Sequence, residues 1–197
     1  DLNKREISLN NKTKYNYDKL ISSIPLTEIC KIIKDIPKNV LNASKKLKFT
    51  SGFIISIGFN KPNIPKHLWF YIYDKDNPVA RVYSPSMKSK NNVPVGCSSI
   101  QAEMYFNYND ISDYNQDDLL NKMIDKFIEM KLFKIEDIKI KDIRFEKYAN
   151  VIFDHNIYSN RKIVLDFLKN NNIKSVGRFG AWDYYWSDQS MISGRDG

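Results

Sequence analysis

Cysteine and histidine are the scarcest chemistry-bearing residues in this chain, with 2 of each in 197 residues. Cys30 and Cys97 stand far apart and neither belongs to a CxxC pair, so no disulfide framework is written here. Two histidines, His67 and His155, do not complete a zinc-ligand spacing with them, and no metal ligands are expected. No stretch approaches the ~18 apolar residues of a membrane-spanning helix. No basic–apolar–small signal segment opens the chain. No GxGxxG follows a predicted strand, and no Walker A sequence occurs, so there is no phosphate cradle of either recognisable kind. There are no internal repeats, and the longest low-complexity tract is Asn170-Asn171-Asn172. These absences exclude a transmembrane helix protein, a zinc finger and a disulfide scaffold. The sparse cysteine fits a reducing compartment, and a cytoplasmic location is expected.

What is present is a globular composition, with 42% hydrophobic and 27% charged residues. That is enough chain to bury a core without staples. Lys+Arg total 31 against 23 Asp+Glu, giving net +8. A positive balance favours anionic partners. The charge is scattered, however, and arginine is confined to Arg5, Arg81, Arg144, Arg161, Arg178 and Arg195. Readers of duplex DNA rely on arginine for base edges and phosphates, so the pattern argues against nucleic acid. An anionic small molecule such as a nucleotide stays compatible.

The hydrophobic pattern predicts an α+β fold. Alternation over 5–9 predicts a hairpin strand, followed by a polar turn and a buried strand over 17–24 that ends at Pro25. Thr27 is placed to cap a helix through about Ile36, with Ile29, Ile32, Ile33 and Ile36 on one stripe and Pro37 as its stop. Strands are expected over 53–59, 68–73, 79–83 and 98–105, with Gly52 and Gly58 as bulge or turn points and 84–96 as a loop. Their close spacing predicts a mixed, mostly antiparallel sheet with flanking helices. Helices are expected over 116–131 and 158–170, with one long bent strand or a strand pair over 138–149 between them. A short strand over 173–176 leads into the tail, and a helix start is expected near 187. His67 is read as a surface or packing residue, Cys97 as a small buried thiol and His155 as a turn residue.

The tail Ser175-Val176-Gly177-Arg178-Phe179-Gly180-Ala181-Trp182-Asp183-Tyr184-Tyr185-Trp186-Ser187-Asp188-Gln189-Ser190 holds the densest chemistry. It reads as strand, glycine turn, aromatic loop and helix start. Glycine permits close backbone approach to a ligand, and the rings offer stacking area with polar handles. Amides at a helix start suit an anion or a ring carbonyl, with Ser187 or Asp188 placed to cap them. The same pattern describes a packed loop with core aromatics, and composition does not choose between the two. No nucleophile–base set stands out, and the catalytic residues are unknown. Paired carboxylates, Glu103 with Asp188, have no distance that sequence fixes.

Three segments carry a family resemblance: Tyr17 to Leu26, Pro78-Val79-Ala80-Arg81-Val82-Tyr83, and Val176 to Gly194. Pro94 to Ser99 and Tyr148 to Asp154 fit the spacing between them. Together they resemble the later part of FAD-dependent amine-oxidase-like proteins, in the branch of UDP-galactopyranose mutases and protoporphyrinogen-oxidase-like proteins of surface polysaccharide clusters. The resemblance implies a substrate-domain-like, incomplete FAD-binding fold that lacks the family's N-terminal Rossmann unit. It implies a substrate-binding domain over 1–174, with the strand near 18–24 returning toward the FAD domain, and a flavin-contacting segment over 175–197. Gly177, Arg178, Asp188 and Gln189 would then meet the cofactor FAD. Arg81, Trp182 and Tyr184 would meet the substrate, with a nucleotide sugar as the implied class. Trp182 departs from the tyrosine common there, and Ser187 from methionine.

The reading that follows is a fragment of an FAD-dependent oxidoreductase or mutase, inactive alone and poor at holding FAD. Two alternatives belong to other classes. One is a noncatalytic sugar- or nucleotide-binding module using the aromatic loop at 182–186. The other is a structural or interaction domain with an apolar patch around Ile21–Pro25 and Val176–Trp182, which a homodimer would cover.

Overall fold

A computed structural model describes residues 1–10, 12–108 and 114–197. The chain forms two compact units, one of residues 1–49 with 150–197 and the other of residues 50–149. The α+β expectation holds, with a mainly antiparallel sheet and flanking helices.

The contiguous unit is built on a five-stranded sheet. Its strands are β4 (Phe49–Phe59), β5 (Trp69–Tyr71), β6 (Val79–Tyr83), β7 (Ser98–Asn107) and β8 (Ile138–Val151), in the order β5-β6-β7-β4-β8. β4 and β7 run antiparallel from Thr50↔Asn107 to Phe59↔Ser98 without interruption. Alternation assigns Phe53, Ile55, Ile57 and Phe59 to the face that also receives Ile100, Ala102 and Met104, and all seven are buried. Helix α4 (Gln116–Glu129) contributes Leu119, Leu120, Met123, Ile124 and Phe127 to the same core. Each fully buried large side chain contributes about 1.5–3 kcal/mol. Asn115 caps α4, its Oδ1 accepting from the amides of Asp117 at 2.9 Å and Asp118 at 3.2 Å. Those two aspartates also complement the helix dipole.

Residues 138–151 form one long strand, the first of the two arrangements their pattern allows. β8 lies antiparallel to β4: Ser51 Oγ donates to the Lys147 carbonyl at 2.7 Å and the Asn60 amide to the Asp137 carbonyl at 3.0 Å. Gly52 and Gly58 lie within the strand rather than at bulges. A Cβ on Gly52 would stand 2.3 Å from the Met104 carbonyl oxygen, so glycine there answers a close backbone approach. The sheet's register shift sits between Val79 and Arg81 in β6. The 84–96 loop contains a helical turn, α3 (Pro85–Lys88), and Cys97 after it is half-buried rather than buried.

The other unit opens with the expected hairpin, β1 (Glu6–Ser8) against β2 (Lys14–Asn16); Asn11 of its turn lies outside the described residues. β3 (Leu20–Ser22) pairs in parallel with β9 (Ile173–Ser175), a sheet of only two strands. The strand is shorter than the predicted 17–24, and Ile21 and Ile24 are exposed rather than buried. Helix α1 (Leu26–Ile32) starts at Pro25, and Thr27 is a buried second residue, not a cap. It stops early because Ile33 turns extended and Asp35 adopts φ 55°. Ile32 therefore falls on the exposed side of the expected stripe. Pro37 ends nothing; it stands immediately before α2 (Lys38–Lys45), a helix the sequence reading lacks. Proline suits a helix start as well as a stop. Helix α5 (Ile157–Asn170) packs on α2 and β9, with Ile157, Val164 and Leu168 buried. The tail carries a one-turn helix, α6 (Gly177–Gly180), and then α7 (Ser187–Arg195). His155 lies in an exposed turn before α5, as its spacing predicts.

Two stability outcomes follow from the sheet. Gly52→Ala forces a backbone shift and should cost about 1–3 kcal/mol in denaturant unfolding, while Gly194→Ala, with open space at its Cβ, should not. Asp137 is buried, its carboxylate 2.5 Å from Lys61 Nζ and 3.3 Å from the Lys134 amide. The lysine hydrogen bond first, then that amide against the cost of burial, holds its pKa below the usual carboxylate range. A lowered folded pKa gives stability that is complete above the unfolded value of about 3.9 and lost as pH falls through the folded one. Asp137→Asn should therefore lower stability at neutral pH and flatten its loss below about pH 4, read by acid titration of the circular dichroism signal.

Candidate functional site

The tail is positioned by the parallel pair. β3 and β9 end side by side at Ser22 and Ser175, and the Val176 amide donates to the Ser22 carbonyl at 2.9 Å. Gly177 follows at φ 75°, a conformation that favours glycine, and a Cβ there would meet nothing within 4 Å. Its amide donates to Ser193 Oγ at 3.0 Å, tying the turn to α7. Gly180 closes α6 against the Ser22 carbonyl, which a Cβ would approach to 3.0 Å.

Arg178 is held within its own unit. Its Nη2 donates to Asn150 Oδ1 at 2.7 Å, and its guanidinium lies 4.8 Å from the Tyr184 ring centre. Its Nε is buried without a hydrogen-bond acceptor among the described residues. Trp182 is fully buried at φ 52°, edge-on to Phe49 and Phe179 with ring centres 6.0 and 6.2 Å away. A residue placed beside a substrate by resemblance thus has no exposed surface, and the patch expected over Val176–Trp182 is closed at both named ends. Arg161 braces the loop by pairing with Asp183 at 2.7 Å and donating to the Trp182 carbonyl at 3.3 Å. The open rings are Tyr184 and Trp186, joined on α7 by Met191 and Ile192.

α7 begins at Ser187, where the sequence pattern predicts a helix start. Neither Ser187 nor Asp188 caps it; Trp186 is the cap position, and no side chain accepts from the first amides there. Gln189 reaches back, its Oε1 accepting from the Trp186 amide at 2.9 Å. Asp188 is exposed in the first turn, where a carboxylate complements the dipole. One segment therefore gathers Gly177, Arg178, Trp182, Tyr184, Asp188 and Gln189.

Arg81 belongs to the other unit, on the face of its sheet opposite the core. Its Nε and Nη2 donate to the two oxygens of Glu103 at 3.1 and 2.7 Å, a bidentate pair. Glu103 also accepts from the Tyr105 hydroxyl at 2.5 Å. Hydrogen bonding to Glu103, against partial burial, raises the arginine further above its ordinary pKa. This commits Glu103 to a neighbour, which removes it from the imagined pairing with Asp188. Beside this pair Tyr83 hydrogen-bonds Gln101, whose Nε2 donates to Ser56 Oγ at 3.0 Å. Burial first, and the Glu103 charge second, push the Tyr83 phenol up. A cavity of about 700 Å³ opens on this face, lined in part by Ser56, Ser99, Gln101, Asn92, Pro94 and Cys97. The sequence pattern does not mark Asn150, Arg161, Glu103 or Gln101 for these contacts. The outward parity of 79–83 and 98–105 was the signal that could have found the last two.

Among the described residues no three metal-ligating side chains come together, and no helix is long and apolar enough to cross a membrane. No protein-family model matches the chain, and neither does any curated protein. Solved structures do match its fold. One is reduced UDP-galactopyranose mutase, at 24% identity and TM-score 0.83, over 93% of this chain and 40% of that one. Another is a protein assigned as a protoporphyrinogen oxidase from Exiguobacterium sp. 255-15, at 12% identity and TM-score 0.68, over 97% of this chain and 43% of that one. A third is the PF1083 protein from Pyrococcus furiosus, at 13% identity and TM-score 0.54, over 90% of this chain and 46% of that one. The chain spans less than half the length of each, and what it shares with them is the fold.

The packing role of Trp182 is directly testable. Trp182→Ala should cost about 3–5 kcal/mol in chemical denaturation, the range for truncating a buried aromatic. Trp186→Ala, on an exposed ring, should fall within about 0.5 kcal/mol of the parent.

Proposed function

We propose that this chain supplies the substrate-binding portion and the closing flavin-contact segment of an FAD-dependent oxidoreductase or mutase. The observation that carries the reading is the β3–β9 pair with its tail. Parallel strands are ordinarily found in larger sheets covered on both faces, and three-residue pairs are marginal alone. In open parallel sheets ligands sit beyond the carboxyl ends of the strands. That is where Gly177, α6, the aromatic loop and the uncapped start of α7 gather. The fold shared with the mutase and the oxidase-assigned protein supports the same class.

The residues fit one end of FAD. Gly177 has open space at its missing Cβ, and among the described residues no cap side chain accepts from the first amides of α7, Gln189 accepting from the Trp186 amide before them. A planar, carbonyl-bearing ring suits such donors. The adenosine end has no glycine fingerprint in this chain, so the bulk of that cofactor's binding is assigned to protein outside these residues. In this reading Gly177, Arg178, Asp188 and Gln189 hold the ring end. Arg178 is oriented for that by Asn150 and by Tyr184. Tyr184 meets the substrate from this loop, with Trp182 supporting the loop from beneath; Arg81 stays a substrate contact by resemblance alone. When bound, the flavin supplies hydride acceptance or a nucleophilic ring nitrogen. The chain's own part is to bind and orient; a nucleotide sugar of surface polysaccharide synthesis is the substrate class the resemblance favours. Residues 1–174 and 175–197 divide by role in this account.

Flavin retention tests the reading. The 197-residue chain should take up FAD far below one equivalent, measured by absorbance after gel filtration. The same polypeptide isolated from its native cells, with whatever chain or partner supplies a dinucleotide fold, should be stoichiometrically yellow. A native form free of flavin, which does not take it up when FAD is added, would refute the proposal.

A further inference from the structure

β5 ends the five-stranded sheet on one side, with an outer edge that no described strand covers. The Ser84 amide donates to the Leu68 carbonyl at 2.8 Å and the Ile72 amide to the Ala80 carbonyl at 3.1 Å, so Leu68 and Ile72 turn these backbone groups toward β6. Alternation along the strand then leaves the N–H and C=O groups of Trp69 and Tyr71 at the open edge. Natural sheet edges are ordinarily blunted by a charge, a proline or a bulge. Leu68 to Tyr73 holds only Leu, Trp, Phe, Tyr and Ile, and the register shift of this sheet lies between β6 and β7 instead.

The side chains are open on one face as well. Phe70 and Ile72 pack on the core side of the sheet. Trp69, Tyr71 and Tyr73 turn to the other face and are 62%, 55% and 89% exposed. A strand with both its edge groups and its rings uncovered is a template for another strand. Aromatic pairs across such a junction add to the backbone bonds.

Charge at the two ends of the strand selects what pairs with it. Lys66 and His67 precede β5, and Asp74, Lys75 and Asp76 follow it. Lys126, beside these aspartates, is paired with Glu129, so the aspartates outweigh Lys75. Neither Lys66 nor Asp74 forms an ion pair among the described residues. The remaining cations nearby are engaged on the β6 side, Lys88 over the Tyr83 ring and Arg81 on Glu103. The strand is therefore basic where it begins and acidic where it ends. A second β5 added in parallel would stack like charges, whereas one added antiparallel matches opposite ones. With a twofold axis at Phe70, Trp69 stands opposite the partner's Tyr71 and Lys66 opposite the partner's Asp74, in both halves. Trp69 and Tyr71 then exchange about four backbone hydrogen bonds across the axis. Such an isologous contact uses up both edges and closes at two copies.

We propose that β5 is a self-pairing edge, through which two copies of this chain join antiparallel about a twofold axis at Phe70. The inference does not depend on flavin binding. The test is sedimentation velocity on the full chain from about 1 to about 500 µM. A reversible monomer–dimer equilibrium is expected. Trp69→Ala should weaken it about tenfold. Tyr71→Pro should abolish it, since the amide it removes faces the open edge and not β6. Lys66→Glu and Asp74→Lys should each weaken the dimer about fivefold. The double variant restores opposite charges across the axis and should return to within about twofold of the parent. Lys66 and Asp74 are exposed and lie outside β5, so unchanged thermal melting separates lost pairing from lost folding. Trp186→Ala, on the tail, should leave the equilibrium as it is. A chain that stays monomeric throughout would overturn the proposal, as would a double variant no tighter than the single ones. Assembly that grows past the dimer would overturn it by showing a contact that does not close. A dimer lost on Trp186→Ala would overturn it by assigning the contact to the tail.

Discussion

The uninterrupted antiparallel register of β4 with β7 is the constraint on which the larger unit depends. Side chains alternate across a strand, so a slip by one residue would turn Phe53, Ile55, Ile57 and Phe59 to solvent and carry Ser56 into the core. The close approach of Gly52 to the Met104 carbonyl reinforces this alignment, since a residue with a Cβ would not fit there. The same register that buries one face lines up Ser56, Gln101, Tyr83 and Trp69 on the other. Core and surface chemistry are thus two readings of one hydrogen-bond ladder.

The smaller sheet is organised differently. β3 and β9 hold each other by only a short parallel pairing, and most of the apolar burial around them comes from α1, α2 and α5. What the pair fixes is the starting point of the tail. The Val176 amide on Ser22 and the close fit of Gly180 to the same carbonyl place the loop, and Trp182 anchors it from below. A tryptophan in the left-handed region is costly, by about 1–3 kcal/mol, and burial of the whole indole offsets it.

Much of this was legible in the sequence. β6 matches its predicted span, and α4, α5 and α7 lie close to theirs, because their patterns are long, periodic and bounded by polar residues. The misses have physical causes. α2 is polar along most of its length and begins at a proline that also reads as a stop. Ile21, Ile24 and Ile32 read as core by type, yet type alone does not say which apolar residues a small unit can cover. The tail segment and Arg81 stand out in the sequence because glycine, arginine and aromatic clusters are visible one residue at a time. The sequence does not show that Arg81 is held by Glu103 or Arg178 by Asn150, because those pairs are made by strand register and by residues 28 positions apart.

The path of the chain has a bearing on how it is made. Residues 50–149 are contiguous, so the five-stranded unit has nearly all its parts before residues 152–197 are synthesised. The other unit is split: residues 1–49 must wait for β9 and Trp182, which are synthesised after the five-stranded unit. Vectorial synthesis therefore favours folding of the five-stranded unit before the split one, with the β1–β2 hairpin and α1 exposed to chaperones and proteases in the interval.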